Sequence, residues 1–367
     1  MTLGVQLPIV HIIKNVKNGN QHMLMLIIFI GGINKLNIVK PNVSVIKHDG
    51  NPYRIIEKIG RICYKSEDKI TSVEHAAKFV NMLIKRNHTA MLEHEHIYFI
   101  CTPNVSEAFK EVLDVEAMRY FNVSRHAISG SFRAFFELFK HYLSKNIELI
   151  NALYILSHKF YPDIFDSEYI RKPKHLDRIN SYLDVCQLQL HTSRDTFVSE
   201  LRAEMKDRNE IDIDEVISKH LIHTLVFTCD RGVSHELVRH RNCGFAQEST
   251  RYCNYSASKF NHSITFIDPS PCIFKPNSKE YKIWCKAMKA AEKCYFKLID
   301  NGMTPQVARD VLPTSVKTEI AVTATEEEWQ HILYLRYHGR TGQPHPQMKE
   351  VMNIAEFGNQ KIGFMAE

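Results

Sequence analysis

The chain has 367 residues, of which 44% are hydrophobic and 24% charged, and 47 Lys+Arg exceed 41 Asp+Glu to leave a net charge of +6. At ~150 residues per domain this length fits one large or two ordinary domains, and the composition excludes disordered and collagen-like proteins. The positive excess suits phosphate-bearing metabolites but is smaller than that of a dedicated nucleic-acid binder. The cysteines number nine and form no C-x-x-C pair, which argues against a disulfide framework or zinc ribbon and indicates a reducing, cytosol-like compartment.

The N-terminal part contains a wholly apolar run, Met23–Ile30, preceded by Lys14 and Lys17. The run is shorter than the ~20 residues of a membrane-spanning helix, and no small-x-small cleavage site follows it. We therefore predict that residues 1–42 form an extension outside the core. A buried strand added to the core, or a membrane role, remains an alternative that the sequence does not separate.

The next segment, 43–101, is predicted to begin a catalytic core. Thr71-x-x-Glu74 forms a capping box for an amphipathic helix that ends near Asn87, and His96–Cys101 has the composition of a strand. Residues 102–219 then change character. They carry an aromatic helical pattern from Phe132 to Tyr142, followed by a charged stretch from Arg171 to Asp214 with little obvious core face, and we predict a helical insertion.

Residues 220–367 are predicted to complete the core. Leu221–Cys229 reads as a strand, and Asp230 is placed to cap a helix that runs to Arg241. The later pattern predicts further elements, namely a strand at Ile264–Ile267, a helix opened by Asn277-x-x-Glu280 and ended by Gly302, a strand at Val316–Val322, and a helix capped by Thr325-x-x-Glu328. The predicted fold class is α+β.

The segment Glu236–Tyr252 concentrates chemically useful side chains at a predicted helix end and in the loop that follows. Arg239, His240 and Arg241 are consecutive, so they fan around a helical turn and could touch two different ligands. Cations also suit the helix C-terminal dipole, which is the purely structural interpretation. The following Ser249-Thr250-Arg251 provides hydroxyls, backbone N–H groups and a guanidinium, the donors that a phosphate monoester needs.

The arrangement Arg239-His240-Arg241, seven residues, then Ser249 resembles the signature of the flavin-dependent thymidylate synthases. Two distant places support the resemblance, Asn87–His94 before the first strand and the Ala308-Arg309 and Leu335-Arg336 pairs near the C-terminus. It covers roughly Pro52–Phe99 and Leu225–Phe357. It implies a single α/β core domain of that family with a helical insertion, whose Ile128–Ala134 segment resembles an insertion of longer members.

The resemblance implies two sets of site residues. Those assigned to deoxyuridine monophosphate (dUMP) are Glu236, Arg239, Gln247, Glu248, Ser249, Thr250, Arg251, Arg309 and Arg336. Those assigned to FAD are His88, Glu93, Arg239, His240, Arg241, Gln247 and His331. Arg336 faces the uracil ring in this assignment, and it is the catalytic candidate because a fixed positive charge there stabilises negative charge on the ring.

The same resemblance implies the reaction and its setting. The enzyme would be a methyltransferase that converts dUMP to dTMP, with 5,10-methylenetetrahydrofolate as carbon donor and NADPH-reduced FAD as hydride donor. It implies a homotetramer with shared active sites and small-molecule ligands. We predict a cytoplasmic location, as the cysteine pattern indicates, and no metal, nucleic acid or membrane partner. No Gly-x-Gly-x-x-Gly motif is needed, since this dinucleotide site is not of the Rossmann type.

Several positions depart from the family pattern. The usual Asn-x-Arg at the start of the last core helix is Thr325-Glu326-Glu327 here, which places an anion where a cation faces the diphosphate. Asn87 replaces a glycine before the first histidine, Ala90 replaces a hydroxyl residue, and His331 stands where Asn or His occurs. The acidic replacement predicts weakened FAD binding.

Two other functions are compatible with parts of the sequence. A non-catalytic RNA- or DNA-binding protein could use the basic Arg239–Arg241 turn and the many aromatic residues, but the basic residues form no long stripe. A metal hydrolase is suggested by Glu93-His94-Glu95-His96, in which both histidines would face the same side of a strand. No H-E-x-x-H motif supports that alternative.

Overall fold

The computed structural model describes residues 36–48, 50–145, 147–171, 187–206 and 212–357. The apolar run Met23–Ile30, on which the prediction of an extension depends, lies outside these ranges. Within them, no helix is both long enough and apolar enough to cross a membrane.

The described ranges contain helices and strands in mixed order, in agreement with the predicted α+β class. The strands are β1 (Asn37–Val39), β2 (Asn42–Ile46), β3 (His96–Ile100), β4 (Phe121–Ser124), β5 (Ala127–Ser131), β6 (Gln189–His191), β7 (Ile222–Asp230), β8 (Gly244–Gln247), β9 (Thr265–Ile267) and β10 (Lys317–Thr325). The α-helices are Pro52–Ile62, Val73–Lys85, Pro103–Val112, Val115–Met118, Phe132–Tyr142, Glu148–Phe160, Pro162–Phe165, Arg194–Met205, Ile213–His220, Arg231–Leu237, Lys279–Asp300, Pro305–Ala308, Glu326–Arg336 and Pro346–Phe357.

The first sheet is antiparallel, in the order β2-β7-β10-β8, and it carries most of the predicted site. Alternate residues of its strands face opposite sides, as the two-residue period of a strand requires. Phe227 and Val322 on one side pack with Trp329 and Met348 of the two C-terminal helices. Ala246 and Ala321 on the other side pack with Ile55 and Ile59 of helix Pro52–Ile62. The sheet is therefore buried between two helical layers.

The second sheet, in the order β4-β5-β3-β6, changes the predicted picture of the insertion. The insertion contributes three strands as well as helices. Of these strands, β5 and β6 pair with β3 of the preceding segment, and β4 pairs with β5. Phe121 explains one glycine there, since a Cβ on Gly130 would lie 2.7 Å from the Phe121 ring. The insertion therefore shares a sheet with the first part of the predicted core.

Two local predictions need correction. Helix Arg194–Met205, within the stretch predicted to lack a core face, buries Phe197, Leu201 and Met205 at four-residue spacing, which suits one helical face. The structure caps helix Val73–Lys85 with Ser72, which accepts from the His75 N–H, rather than with Thr71. Neighbouring hydroxyl residues can both serve as caps, so sequence alone left this register open.

Residues 36–42 also differ from the prediction of an extension outside the core. β1 pairs in parallel with β9, and the last of these residues, Asn42, begins β2, which pairs with β7. Leu36 is buried with Phe266 and Val316 in a separate hydrophobic cluster. Residues 36–42 therefore belong to the fold, although their pattern of apolar residues did not distinguish them from residues 1–35.

Candidate active site

Asp230 caps the helix that leads into the predicted signature. Its carboxylate accepts a hydrogen bond of 2.7 Å from the Val233 N–H, as predicted. The helix ends at Leu237, earlier than the predicted Arg241, and the three signature residues lie in the turn that follows. The turn separates their environments, because Arg239 and Arg241 are exposed whereas His240 is buried.

The two exposed arginines of this turn carry uncompensated charge. Neither side chain makes a hydrogen bond or ion pair with any residue that the structure describes, and the Arg239 N–H donates to the Glu236 carbonyl oxygen through the backbone alone. Free guanidinium groups can bind a phosphate or diphosphate without first losing an internal partner. The turn is thus suited to an anionic ligand.

Arg336, at the end of its helix, is held in place by the helix that precedes the turn. Its Nη1 donates to Glu236 Oε2 over 3.0 Å, its Nη2 to the Glu236 carbonyl oxygen over 3.4 Å, and its Nε to His240 Nε2 over 3.2 Å. A guanidinium has five N–H groups, so these contacts leave two for a ligand. Glu236, His240 and Arg336, predicted separately, are thereby brought together.

His240 is a neutral acceptor in this arrangement. Burial lowers its pKa to about 4, and the charge of Arg336 acts in the same direction. Since Nε2 accepts from Arg336, the proton of the neutral ring is on Nδ1, which lies 3.9 Å from Glu328 Oε1. The His331 ring stands 6.4 Å away, edge to face. His240 therefore orients the Arg336 guanidinium while keeping the local charge low.

The predicted phosphate donors form a second group. Arg309 Nη1 donates to Thr250 Oγ1 over 3.4 Å, and Arg251 Nε donates to Gln306 Oε1 over 3.2 Å. The Arg251 N–H lies 3.3 Å from Ser249 Oγ, which tightens the turn. Two arginines from separate parts of the chain are thus gathered beside two hydroxyls, and neither guanidinium forms an ion pair in the described ranges.

The side chains of Gln247 and Glu248 form hydrogen bonds with residues of the sheet and its neighbouring segments. Gln247 Nε2 donates to Ser234 Oγ and Thr318 Oγ1 over 2.8 and 3.1 Å. Glu248 is 2% exposed, and Lys317 Nζ lies 3.1 Å from its Oε2. Its other carboxylate oxygen accepts from the Tyr255 hydroxyl over 3.4 Å. Both side chains already have partners within the protein. Their contacts with ligands therefore stay predictions.

Sequence reasoning missed the charged residues that support this strand. Lys317 Nζ lies 2.7 Å from Glu319 Oε1, and Lys65 contacts the other oxygen of Glu319. Burial raises the pKa of Glu319, but the two lysines outweigh burial and leave it below its usual range. The available signal was the two-residue spacing of Lys317 and Glu319, which places both on one face of a strand.

The Asn87–His94 segment approaches the signature at one point. A Cβ on Gly244 would lie 3.0 Å from Glu93 Cβ, so this strand residue must be small for the two segments to pack. Glu93 is paired with Arg133 of the insertion, a residue to which the resemblance assigned no ligand contact. The departure at Asn87 is also explained, because its φ of 55° is left-handed and asparagine tolerates that region better than most residues.

His88 is exposed, and it lines a separate cleft of about 630 Å³. Aromatic rings from two segments meet in the wall of this cleft, where the Tyr64 and Tyr252 centroids are 5.3 Å apart. Lysines and arginines line much of the remainder. His88 therefore lies in a cleft whose lining combines aromatic rings with positive charges.

The acidic departure lies at the start of helix Glu326–Arg336. Thr325 accepts from the Glu328 N–H over 3.2 Å, and the first turn contains Glu326, Glu327 and Glu328. Carboxylates at this end stabilise the helix through its dipole. Glu327 is exposed, so its charge would face a diphosphate bound near this helix end.

No group of three or more possible metal ligands was found among the residues that the structure describes.

Comparison with known proteins supports the resemblance in the C-terminal half. Residues 213–355 match the family model described as thymidylate synthase complementing protein. A protein of Thermococcus onnurineus named flavin-dependent thymidylate synthase is 34% identical over 123 residues, which are 33% of this chain and 49% of that protein. One of the same name from Geobacter sulfurreducens is 33% identical over 106 residues, or 29% and 43% of the two chains. The family resemblance is thereby confirmed over the matched segment.

The match does not extend over whole proteins. The alignment reaches about half the length of the curated relatives, as the 49% coverage shows. A UMP/dUMP methylase, PolB from Streptomyces cacaoi bound with 5-Br dUMP, aligns with a TM-score of 0.31 at 22% identity, over 43% of this chain and 73% of that one. A likeness of that size supports no conclusion about fold or activity.

Proposed function

We propose that this chain, which matches the thymidylate synthase complementing protein family over residues 213–355, is a flavin-dependent thymidylate synthase. It would convert dUMP to dTMP with 5,10-methylenetetrahydrofolate as carbon donor and NADPH-reduced FAD as hydride donor. The observation that carries the proposal lies inside the matched segment. There Arg251 and Arg309 gather beside Ser249 and Thr250, while Arg336 is held separately by Glu236 and His240.

In this proposal the first group binds the phosphate of dUMP. Arg251 and Arg309 provide charge-assisted hydrogen bonds, and Ser249 and Thr250 provide hydroxyl donors. Both arginines now donate to neutral groups, Gln306 and Thr250, which a dianionic phosphate can replace. The nucleotide would thereby be anchored at one end of the signature loop.

Arg336 acts at the uracil ring. Carbon 5 of uracil becomes nucleophilic when negative charge on the O2/N3 edge is stabilised, and a fixed guanidinium stabilises that charge without reorganising during the reaction. The two N–H groups of Arg336 that remain free are available for this contact. Glu236 and His240 hold the guanidinium in the required orientation, so we assign them as positioning residues.

Arg239 and Arg241 suit FAD because their charges are uncompensated within the described residues. With His240, His88, Glu93, Gln247 and His331 they form the proposed FAD-binding set. Bound FAD would supply the hydride that completes the methyl group. Glu327 opposes the diphosphate, and Glu93 would have to share its carboxylate with Arg133. We therefore propose that FAD binds, with an affinity limited by Glu327.

The remaining parts of the proposal concern assembly, setting and domain boundaries. As the family resemblance implies, we propose a homotetramer whose active sites combine residues of several subunits. We propose cytoplasmic action on small molecules rather than on nucleic acid, as the absence of a long basic stripe suggests. The division into an extension, a two-part core and an insertion stays part of the proposal, with residues 36–42 now counted in the core.

The direct test is dTMP formation by the purified protein. The assay supplies dUMP, FAD, NADPH and methylenetetrahydrofolate, and omits each in turn. We expect product only with the complete mixture, and we expect FAD to raise the melting temperature by mass action. Absence of both product and FAD binding would overturn the proposal, whereas FAD binding with turnover of another nucleotide would change the substrate.

A further inference from the structure

We propose that the His88 cleft and the adjoining helix Val73–Lys85 bind the poly-γ-glutamate tail of folate, so that the protein prefers long-tailed over monoglutamyl folate. The inference rests on the proposed function for the identity of the ligand. It goes beyond that function by assigning a surface and a substrate form to residues that, apart from His88, lie outside the predicted site.

The cleft combines aromatic rings with unpaired positive charge. Tyr64 and Tyr252 form part of its wall, and Lys69 and Arg86 line it without an ion-pair partner among the described residues. Two other cations in its lining are already compensated, since Arg61 binds Glu57 and Lys65 binds Glu319. The aromatic wall suits a planar ring, and the free cations suit carboxylates.

A second groove, of about 370 Å³, continues the positive surface along the helix. It shares Met82 and Arg86 with the cleft and adds Lys78 and Lys85. Lys78 and Lys85 are seven residues apart on one helical face, a rise of ~10 Å. The combined surface is therefore longer than one compact anion requires, and it suits anionic groups repeated along a chain.

The local acidic residues reduce this charge without cancelling it. Asp68 is the acidic residue in the described lining of the cleft. A hydrogen bond from Ser72 lowers the pKa of Glu74, and the charge of Lys78 acts in the same direction, so Glu74 offsets part of that lysine's charge. Lys259 donates to the carbonyl oxygens of Tyr64 and Lys65 over 3.2 and 3.0 Å, so two of its hydrogen-bond donors are already used in the wall of the cleft. Lys69, Lys85 and Arg86 remain uncompensated.

Backbone geometry favours carboxylates over a phosphate in this place. Phosphate sites commonly use a glycine-rich loop or the N-terminus of a helix, where backbone N–H groups point at the ligand. The helix presents its C-terminal end to the cleft, through Arg86, and the described lining contains no glycine. The attraction is therefore assigned mainly to side-chain cations, and a flexible chain of carboxylates can follow their spacing.

The test compares equilibrium binding of two ligands to the full chain, namely tetrahydrofolate with a single glutamate and tetrahydrofolate with five glutamates joined through their γ-carboxyl groups. The variant Lys78→Gln/Lys85→Gln removes two cations of the groove. The matched control, Lys286→Gln/Lys293→Gln, removes two exposed lysines at the same seven-residue spacing from helix Lys279–Asp300. Two exposed contacts of this kind correspond to about fivefold in affinity.

We expect the pentaglutamate to bind the wild type at least ~10-fold more tightly than the monoglutamate. The Lys78/Lys85 variant should reduce this ratio about fivefold, while the Lys286/Lys293 variant leaves it unchanged. Equal affinities in the wild type, an unchanged ratio in the first variant, or displacement of the pentaglutamate by NADPH with the same lysine dependence would each overturn the inference. Lack of dTMP formation with either folate would refute the proposed function. The ratio of the two binding affinities would still decide whether the cleft and the groove bind the poly-γ-glutamate tail.

Discussion

The arginines of the candidate site fall into two kinds, which differ in how much of their orientation the chain itself determines. Arg336 makes three hydrogen bonds to Glu236 and His240, whereas Arg239 and Arg241 make none to described side chains. A guanidinium fixed before the ligand arrives needs no reorganisation and can stabilise a transition state. Free side chains lose rotamer entropy on binding, so they contribute mainly ligand affinity that salt weakens. Arg251 and Arg309 lie between these extremes.

Removal of the fixed arginine should have the largest effect. We expect Arg336→Ala to lower the single-turnover rate of dUMP methylation by about 10²–10³-fold at saturating nucleotide, since the lost contact strengthens as charge develops on the ring. Rapid-quench assays on pre-reduced enzyme measure this rate. Arg340→Ala, which removes an exposed arginine near the same helix end, is the control. A normal rate in Arg336→Ala would remove the residue from the catalytic assignment.

Substitution of a phosphate-binding residue should weaken dUMP binding rather than lower the reaction rate. Arg251→Ala removes a charge-assisted contact present in both ground and transition states, so dUMP affinity should fall by ~1.5–3 kcal/mol with the saturated rate nearly unchanged. Calorimetry with dUMP measures the loss. Deoxyuridine, which lacks the phosphate, serves as the matched ligand and should bind both proteins equally. An equal loss for deoxyuridine would show that Arg251 does not contact the phosphate.

The acidic departure provides a smaller effect of opposite sign. Glu327→Arg replaces an exposed anion near the proposed diphosphate by a cation, and we expect FAD to bind about three- to tenfold more tightly. Titration of flavin fluorescence measures the affinity. Glu111→Arg makes the same charge change on an exposed helical position of the insertion and should leave FAD binding unaltered. If both variants tighten binding equally, general charge rather than position is responsible.

His240 should remain neutral at the pH values, near neutrality, at which the protein is assayed. Burial and Arg336 lower its pKa to about 4, so the folded protein binds a proton there less readily than the unfolded chain does. The contribution of His240 to stability therefore falls as the pH decreases from ~6.5 toward 4. Histidine NMR, assigned with His240→Gln, should show an uncharged ring at pH 5. A titration midpoint near 6.5 would contradict its assignment as the acceptor for Arg336.

The smallest effects are expected at the cysteines that flank the signature. Burial raises the pKa of the Cys253 thiol to about 11 and that of Cys243 further, so neither is a thiolate nucleophile at neutral pH. Cys243→Ser and Cys253→Ser should each retain methylation within about twofold. Cys253→Ala accompanies them because Cys253 is fully buried. Loss of single-turnover methylation in a variant that still binds FAD and dUMP would indicate a thiol mechanism.

Local signals predicted much of the C-terminal half. Asp230 and Thr325 are helix caps as their residue types and spacing indicated, and the two long central strands lie within one to three residues of their predicted bounds. These features depend on short-range hydrogen bonds and on the period of apolar residues, which a single sequence displays. The insertion was predicted less well, because its strands are short and pair with distant segments.

The sequence by itself determined which chemical groups the candidate site contains, since the signature places its arginines, histidine and hydroxyls within a few positions of one another. Only the tertiary structure decided which of them are free and which are held. Glu236 and His240 meet Arg336 across a large sequence separation, and Glu93 is paired with Arg133 of the insertion rather than left open. Contacts of this kind depend on how helices and sheets pack, and no local periodicity encodes that packing.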